Sequence, residues 1–594
     1  MASTTWVYIM LGIYIIYCFY WGLKGYFTEK TSAGYAIAGR SIPFIAFLMA
    51  ATAASFSGWT FIGHPGLIWR DGLSYAFASF YVLTIPITGT FFSKRTWLMG
   101  KRYGFITPGD MYAYYYNTEA VRWLSVLTAF LYSMFYSAVQ LMASAALFHY
   151  VAGVPVTFGA IFMAFIVWFY VCSGGLKAST WVGVIQFVLL VGGIIILGAY
   201  CMAQMGGWTE FSAAIKALPV RQLEVPRVIN FGLGGAKGEV AWTAVMVLTY
   251  MFALMGIQSS PAFTMWNFGI KNPKPLAWQQ AFMSTFVVGF ALFYFTAFQG
   301  MGAKVLQIKG VMEFAKDSDV VPLLMTKYLP GFALGLVFMG AIAAIHSTAA
   351  PYIGTGGSIL LRDVYYRYIR QQKAGHAEQI WVNRLLATVL TIAALAVGLT
   401  SKAALVILGA LATAFGFVMY VMLLGVLWGW KFPSIGATLG VLTGMVAVFL
   451  TFYVWRSPLS MHCAFWGTFS GLVVAYLCRG LGIKDNEETI KRQAEVRAYL
   501  DDVDAPSESG RKWRSVMKIA VPVWYFFAIG PACILGNHAF SFSGFPPLWS
   551  WQIAWWIAGI VMMWALAFKA EMATTTETQI ERAEKETMIV VKEA

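Results

Sequence analysis

Runs of about 20 apolar residues recur along nearly the whole chain, and a run of that length crosses about 30 Å of hydrocarbon as one helix. In lipid every backbone polar group must be satisfied from within, so such runs have to be helices unless the chain closes a barrel. A barrel needs alternating ten-residue segments with one polar face, and that pattern is absent. Window hydropathy predicts about fifteen spans, at 5–26, 41–68, 72–97, 120–150, 155–173, 178–204, 237–268, 276–304, 331–357, 379–400, 402–430, 435–455, 461–480, 519–537 and 549–569. Only 11% of the 594 residues are charged, against roughly 25% in soluble domains. The expectation is an all-α polytopic membrane protein embedded in a lipid bilayer.

The formal net charge is +15. Lys94, Arg95, Lys101 and Arg102 sit between the third and fourth spans. Lys271 and Lys274 follow the seventh, Arg362, Arg367, Arg370 and Lys373 the ninth, and Arg511, Lys512 and Arg514 precede the fourteenth. All fall on one side if the N-terminus is outside, so the excess reads as the cytoplasmic face of a cell-membrane protein, not as a nucleic-acid surface. The first run, Thr5 to about Tyr26, lacks a basic n-region and a cleavage site, so it reads as a retained helix. The odd span count puts the C-terminus inside. Six Cys show no metal-type spacing and read as small buried side chains. Lys484 to Lys518 is the one sizeable polar segment, and Glu487–Lys491 and Glu488–Arg492 at i,i+4 predict a surface helix there. The tail from Glu571 is expected to be mobile. No GxxxxGK[ST] sequence occurs, so ATP-driven pumping has no motif.

Two spans carry helix breakers at matching positions. The second reads ATAASFSGWTFIGHPG and the seventh MFALMGIQSSPAFTMWNFG. Pro removes a donor and Gly weakens the helix, so carbonyls and amides are freed where there is no water. The two spans are five apart. Five is odd, so the second set of five crosses upside down relative to the first, which is the parity of an inverted repeat with a central site. The alternative is a pair of ordinary kinks.

YAIAGRS (Tyr35–Ser41), SGGLKASTWVGVIQ (Ser173–Gln186), AAIHSTAA and RDVYYRY (Arg362–Tyr368) follow in this order. Together they resemble the sodium:solute symporter family, which includes bacterial proline, pantothenate, sialic acid and galactose carriers. The resemblance covers roughly residues 30 to 430 and implies a five-plus-five inverted-repeat core, first known from amino-acid carriers. Here that core spans 41–431, as 41–204 and 237–431. Additions are residues 1–40, helices at 432–480 and 519–570, a cytoplasmic segment at 481–518 and a tail at 571–594. The resemblance further implies one sodium ion held by the carbonyls of Ala53, Phe56 and Ala344 and the hydroxyls of Ser347 and Thr348. Independently of it, Ala344, Ser347 and Thr348 are spaced i, i+3, i+4 and share one helix face. Neutral oxygens can replace a monovalent ion's hydration shell; the alternative is hydroxyls bonded to their own helix. Some members carry an Asp where this chain has Ser55. Members with a second sodium site carry an Asp where this chain has Gly183. One sodium per solute is therefore expected.

Ser55, Ser57, Trp59 and Thr60 on one broken helix, and Gln258, Ser259 and Ser260 on the other, are expected to bound a solute pocket. Tyr136, Gln140, Thr413, Phe415 and His64 are further candidates, each with a packing alternative. No Asp or Glu lies in the interior of any predicted span, which disfavours a cationic solute. The broken helix also looks more like the pantothenate and monocarboxylate carriers than the sugar carriers, so a small carboxylate or amino acid is expected. The alternatives are proton coupling through His64 or His346, and a sensor that kept the carrier fold. A membrane enzyme is not expected, since no nucleophile–base set or metal-ligand spacing appears.

Overall fold

The computed structural model describes residues 3–230, 242–400 and 405–588. Among them the chain is helical almost throughout, and the only β pairing is an isolated bridge between Ile42 and Ile270. Ten helices are long and apolar enough to cross a bilayer, and three bent pairs raise the count to thirteen. In chain order they begin with α1 (Ser3–Thr28), the broken pair α2 (Phe44–Ser55) and α3 (Trp59–Asp71), and α4 (Leu73–Tyr103). A short α5 (Pro108–Tyr116) leads to α6 (Ala120–Ala152) and α7 (Val156–Gln204). The second broken pair is α8 (Ala244–Ser259) and α9 (Pro261–Gly269). Next come α10 (Pro275–Ile308), α11 (Gly331–Ile369), α12 (His376–Thr400), α13 (Leu408–Trp428) and α14 (Ser434–Val454). The remainder are α15 (Cys463–Gly480), α16 (Glu487–Val503), α17 (Glu508–Ala528), α18 (Pro547–Lys569) and α19 (Glu577–Lys585). The third bent pair joins α17 to Pro531–His538.

Fifteen spans were expected, and the difference has two sources. The expected spans 155–173 and 178–204 are merged in α7, whose 49 residues would reach about 74 Å if straight, more than two bilayer cores. Gly175 breaks it with φ 59° and ψ −151°, a conformation open to glycine, so α7 is two crossings. The other is α15, which is 18 residues long and less apolar than the rest. The expected starts of the spans at 237 and 402 lie outside the described residues.

Both predicted breaks are present. Ser55 ends α2, Phe56 is extended (φ −121°, ψ 104°), and α2 and α3 meet at 54°. Ser260 (φ −64°, ψ 154°) separates α8 from α9, which meet at 43°. Pro261 sits at the first position of α9, where its missing N–H costs nothing, and the Ser260 hydroxyl accepts from Phe263 N at 3.4 Å as an N-cap. Each half-helix is 9 to 16 residues, about 14–24 Å at 1.5 Å per residue, so each break falls near mid-membrane. Close approach fixes the pairing of α8 with α13: a Cβ at Gly256 would collide with the Thr413 carbonyl.

α11 lies at the centre of the bundle, packed most extensively on α7 and then on α6 and α1. The polar segment forms α16 as expected, with the Arg492–Glu488 pair at 2.5 Å and Asn486 capping Thr489 N at 2.8 Å. The tail expected to be mobile instead forms α19, closed by a capping box at Thr576 and Gln579. Ion pairs hold it down: Lys101–Glu584 at 3.1 Å, Arg102–Glu586 at 2.8 Å, and Lys274–Glu577 and Arg582–Asp502. The buried carboxylate of Asp504 binds Lys94 Nζ at 2.7 Å and Arg95 Nε at 2.6 Å, with Arg95 stacked on Trp428 at 3.9 Å.

Candidate functional site

The site is built where α2 stops. Once Phe56 leaves the helical path, Ala53 O at the end of α2 trades its ordinary partner one turn on for Phe56 N at 3.2 Å, and α11 presents the Ser347 hydroxyl to it. Ser347 Oγ lies 3.0 Å from Ala53 O and 3.1 Å from Ala344 O, its single proton shared between the two carbonyls, and Thr348 Oγ1 lies 3.4 Å from Ala344 O. Four of the five oxygens expected for sodium are thus linked in one chain of contacts, Ala53 O to Ser347 Oγ to Ala344 O to Thr348 Oγ1, all from buried residues. Phe56 is buried as well, its ring 5.3 Å from that of Tyr81. Ser347 turns outward to α2, so bonding confined to its own helix does not describe it. A cation between α2 and α11 would take lone pairs from two carbonyls and two hydroxyls, with the hydroxyl protons turned away from it.

Beside this cluster is a cavity of about 10 Å³, room for roughly one water. Of the predicted solute residues, Ser55, Trp59, Thr60, Tyr136 and Thr413 line it. Tyr81 and Tyr250 line it too and were not anticipated; Tyr81 OH donates to Thr60 Oγ1 at 2.6 Å. Trp59 and Tyr81 stand 5.2 Å apart edge to face, so aromatic rings close the space.

The other candidates hold the breaks. Gln140 Oε1 accepts from Gly58 N at 2.9 Å, taking an amide freed by the break, and its Nε2 donates to Tyr136 O at 3.3 Å. Ser57 Oγ accepts from Trp59 N at 3.2 Å and lies 3.5 Å from Tyr136 OH. Ser259 Oγ donates to Gly416 O at 2.8 Å, joining α8 to α13, while Ser260 caps α9. Like these four, three further candidates fall outside the cavity lining, so seven of the twelve do. Gln258 faces Gly89 and Gln280, because its position on α8 points toward α4. Phe415 is buried on α13. His64 bonds Ser79 Oγ at 2.9 Å among the rings of Trp59, Tyr75 and Tyr81. His346 Nδ1 shares a 3.0 Å hydrogen bond with Tyr14 OH, which in turn accepts from Gln186 Nε2 at 2.6 Å. It therefore looks toward α1 and α7, off the Ser347 face.

At Gly183 a Cβ would lie 2.7 Å from the Ala50 Cβ of α2. That position has no room for a side chain beyond hydrogen without moving α2.

A helical membrane carrier, interrupted at two matched points with neutral oxygens gathered at one of them, is the class these features define. The chain belongs to the sodium:solute symporter family, which it matches over residues 35–444, and it is a sodium-coupled carrier of a small solute. It is 25% identical over 368 residues to the sodium/pantothenate symporter of Escherichia coli (strain K12), covering 60% of this chain and 72% of that one. It is 25% identical over 486 residues to the sodium/glucose cotransporter of Vibrio parahaemolyticus, covering 77% and 87%. Among solved structures, a Na+-coupled sialic acid symporter in a substrate-bound outward-open state aligns with a TM-score of 0.65 at 16% identity, over 81% of this chain and 99% of that one. That likeness gives the fold: a five-plus-five inverted-repeat core with additional helices.

Proposed function

We propose that this chain couples the entry of one sodium ion to that of one small carboxylate or amino acid, by rocking of the broken-helix pairs against α11 and its neighbours. The observation that carries the reading is the Ser347 hydroxyl bridging from α11 to Ala53 O at the end of α2. An ion placed there joins a half-helix to the central helix, so its arrival and departure bias which side is open. Gly183 against Ala50 supports a single ion. The cavity offers hydroxyls from Ser55, Thr60, Tyr81, Tyr136, Tyr250 and Thr413 and no charged side chain, which suits a solute held by hydrogen bonds and aromatic contact. Of the solutes printed for the relatives, pantothenate and sialic acid are carboxylates, whereas glucose is a neutral sugar. The positive-inside rule places the N-terminus outside and the C-terminus in the cytoplasm. Proton coupling through His346 is disfavoured by its bond to Tyr14, which turns it off the site.

The test is uptake of labelled candidate solutes into membrane vesicles. Replacing external sodium with potassium is expected to abolish uptake, and a pH gradient in sodium-free buffer is expected not to restore it. Uptake indifferent to sodium would overturn the reading.

A further inference from the structure

On the basic face lies a cavity of about 540 Å³, a volume in the range of small-molecule sites and apart from the mid-membrane site. Four guanidinium groups from three separate elements line it: Arg122 of α6, Arg362 and Arg367 at the end of α11, and Arg492 of α16. Its lining carboxylates, Asp110 and Glu119, are already engaged. Asp110 pairs with Arg122 at 2.8 Å and lies 3.8 Å from Arg362. Glu119 pairs with Arg122 at 2.8 Å and Arg367 at 2.5 Å, and accepts from Tyr368 OH at 2.6 Å. Asp363, behind the wall, is taken by Arg122 and Thr107.

Asp363 stands behind Arg122 and Glu488 beside Arg492, both outside the lining, so on the cavity wall itself four guanidiniums face two carboxylates. Two of the guanidiniums are held by aromatic faces that also line the cavity: Arg362 lies 4.6 Å over Tyr366 and Arg492 lies 5.4 Å over Tyr114. Stacking orients the Arg492 fork while its edge N–H groups can meet an acceptor. The one carboxylate paired with Arg492, Glu488 on its own helix, is a mostly exposed i,i+4 partner of the kind that contributes little.

We propose that this cavity is a binding site for a compact multivalent anion, bearing phosphate or clustered carboxylate groups, taken from the cytoplasm. An anion shared by Arg492 and Arg367 ties α16 to the end of α11, the helix that carries Ser347 and Thr348. The ligand is thereby placed to act on the inner end of the transport core, and α16 gains a role beyond cover.

The test is thermal unfolding of the purified full-length protein in sodium-free buffer, titrated with potassium pyrophosphate or potassium citrate against potassium chloride at matched ionic strength. A ligand of the folded form raises apparent stability saturably. Pyrophosphate, citrate or both are expected to do so while chloride does not, and which of them acts tells phosphate from carboxylate. Arg492→Gln and Arg367→Gln, each checked for elution as one folded species, are expected to raise the half-saturating concentration about tenfold or more, as for the loss of a charge-assisted hydrogen bond. Lys512→Gln, exposed and remote, is expected to leave it unchanged. Stabilisation no greater than that by chloride, or midpoints unmoved in both arginine variants, would overturn the proposal. Because sodium is absent throughout, neither result bears on sodium coupling.

Discussion

Ser347 and Thr348 are neighbours in sequence but not in duty. Ser347 Oγ reaches both Ala53 O and Ala344 O at 3.0–3.1 Å, whereas Thr348 Oγ1 is 3.4 Å from Ala344 alone. Ser347→Ala is therefore expected to raise the sodium concentration for half-maximal uptake more than Thr348→Ala does, by about tenfold or more, since a tenfold change is about 1.4 kcal/mol and a lost buried partner costs about 1–3 kcal/mol. Sodium titration of both variants in vesicles checks the order; equal shifts would refute it. The pair could be read from sequence because i, i+3, i+4 spacing puts it on one face with Ala344. The tyrosines of the cavity could not. The chain has 30 Tyr, and nothing local marks Tyr81 or Tyr250 apart from those that only pack. Gln258 shows the converse: a polar residue beside a break attracts notice, yet a single residue step, about 100° of helix, decides which way it faces.

At the scale of elements, the breaks were written in the sequence because Pro, Gly and paired Ser act on the backbone at their own positions. What needs the third dimension is how closely the broken segments approach their neighbours. A Cβ at Gly58 would lie 2.6 Å from Ile345 Cγ1 and 3.0 Å from Gln140 Oε1. Gly58→Ala is thus expected to push the break away from α11, costing about 1–3 kcal/mol by overpacking and raising the sodium requirement along with it. Thermal unfolding with and without sodium checks this: a variant destabilised in potassium but with the full sodium-induced gain would show that the break and the ion site are independent. The two expected spans 155–173 and 178–204 are the two arms of α7, and what hydropathy could not tell is that they join at a single glycine, Gly175, and not through a loop.

For the whole molecule, the layer of polar helices on the basic face was the least predictable part. Local i,i+4 pairs announced α16, but the contacts that seat it join residues hundreds of positions apart. Asp504 holds both Lys94 and Arg95, and all three side chains are 3–6% exposed. Asp504→Ala is expected to destabilise the protein by about 3–5 kcal/mol, because it strands two cations in a buried site. Lys512→Ala, which removes an ion pair 76% exposed on each side, is expected to shift stability by less than about 0.5 kcal/mol. Thermal inactivation of the two variants side by side checks the contrast.

The Arg95–Asp504 contact spans 409 residues of chain. At about 5–20 residues per second, the ribosome finishes the carboxylate some 20–80 s after the guanidinium has emerged. Throughout that interval the nascent protein must keep two basic groups hydrated or borrowed by lipid phosphates at the membrane surface. The basic end of α4 therefore cannot settle until the last quarter of the polypeptide arrives, and biogenesis of this carrier closes from its C-terminal side.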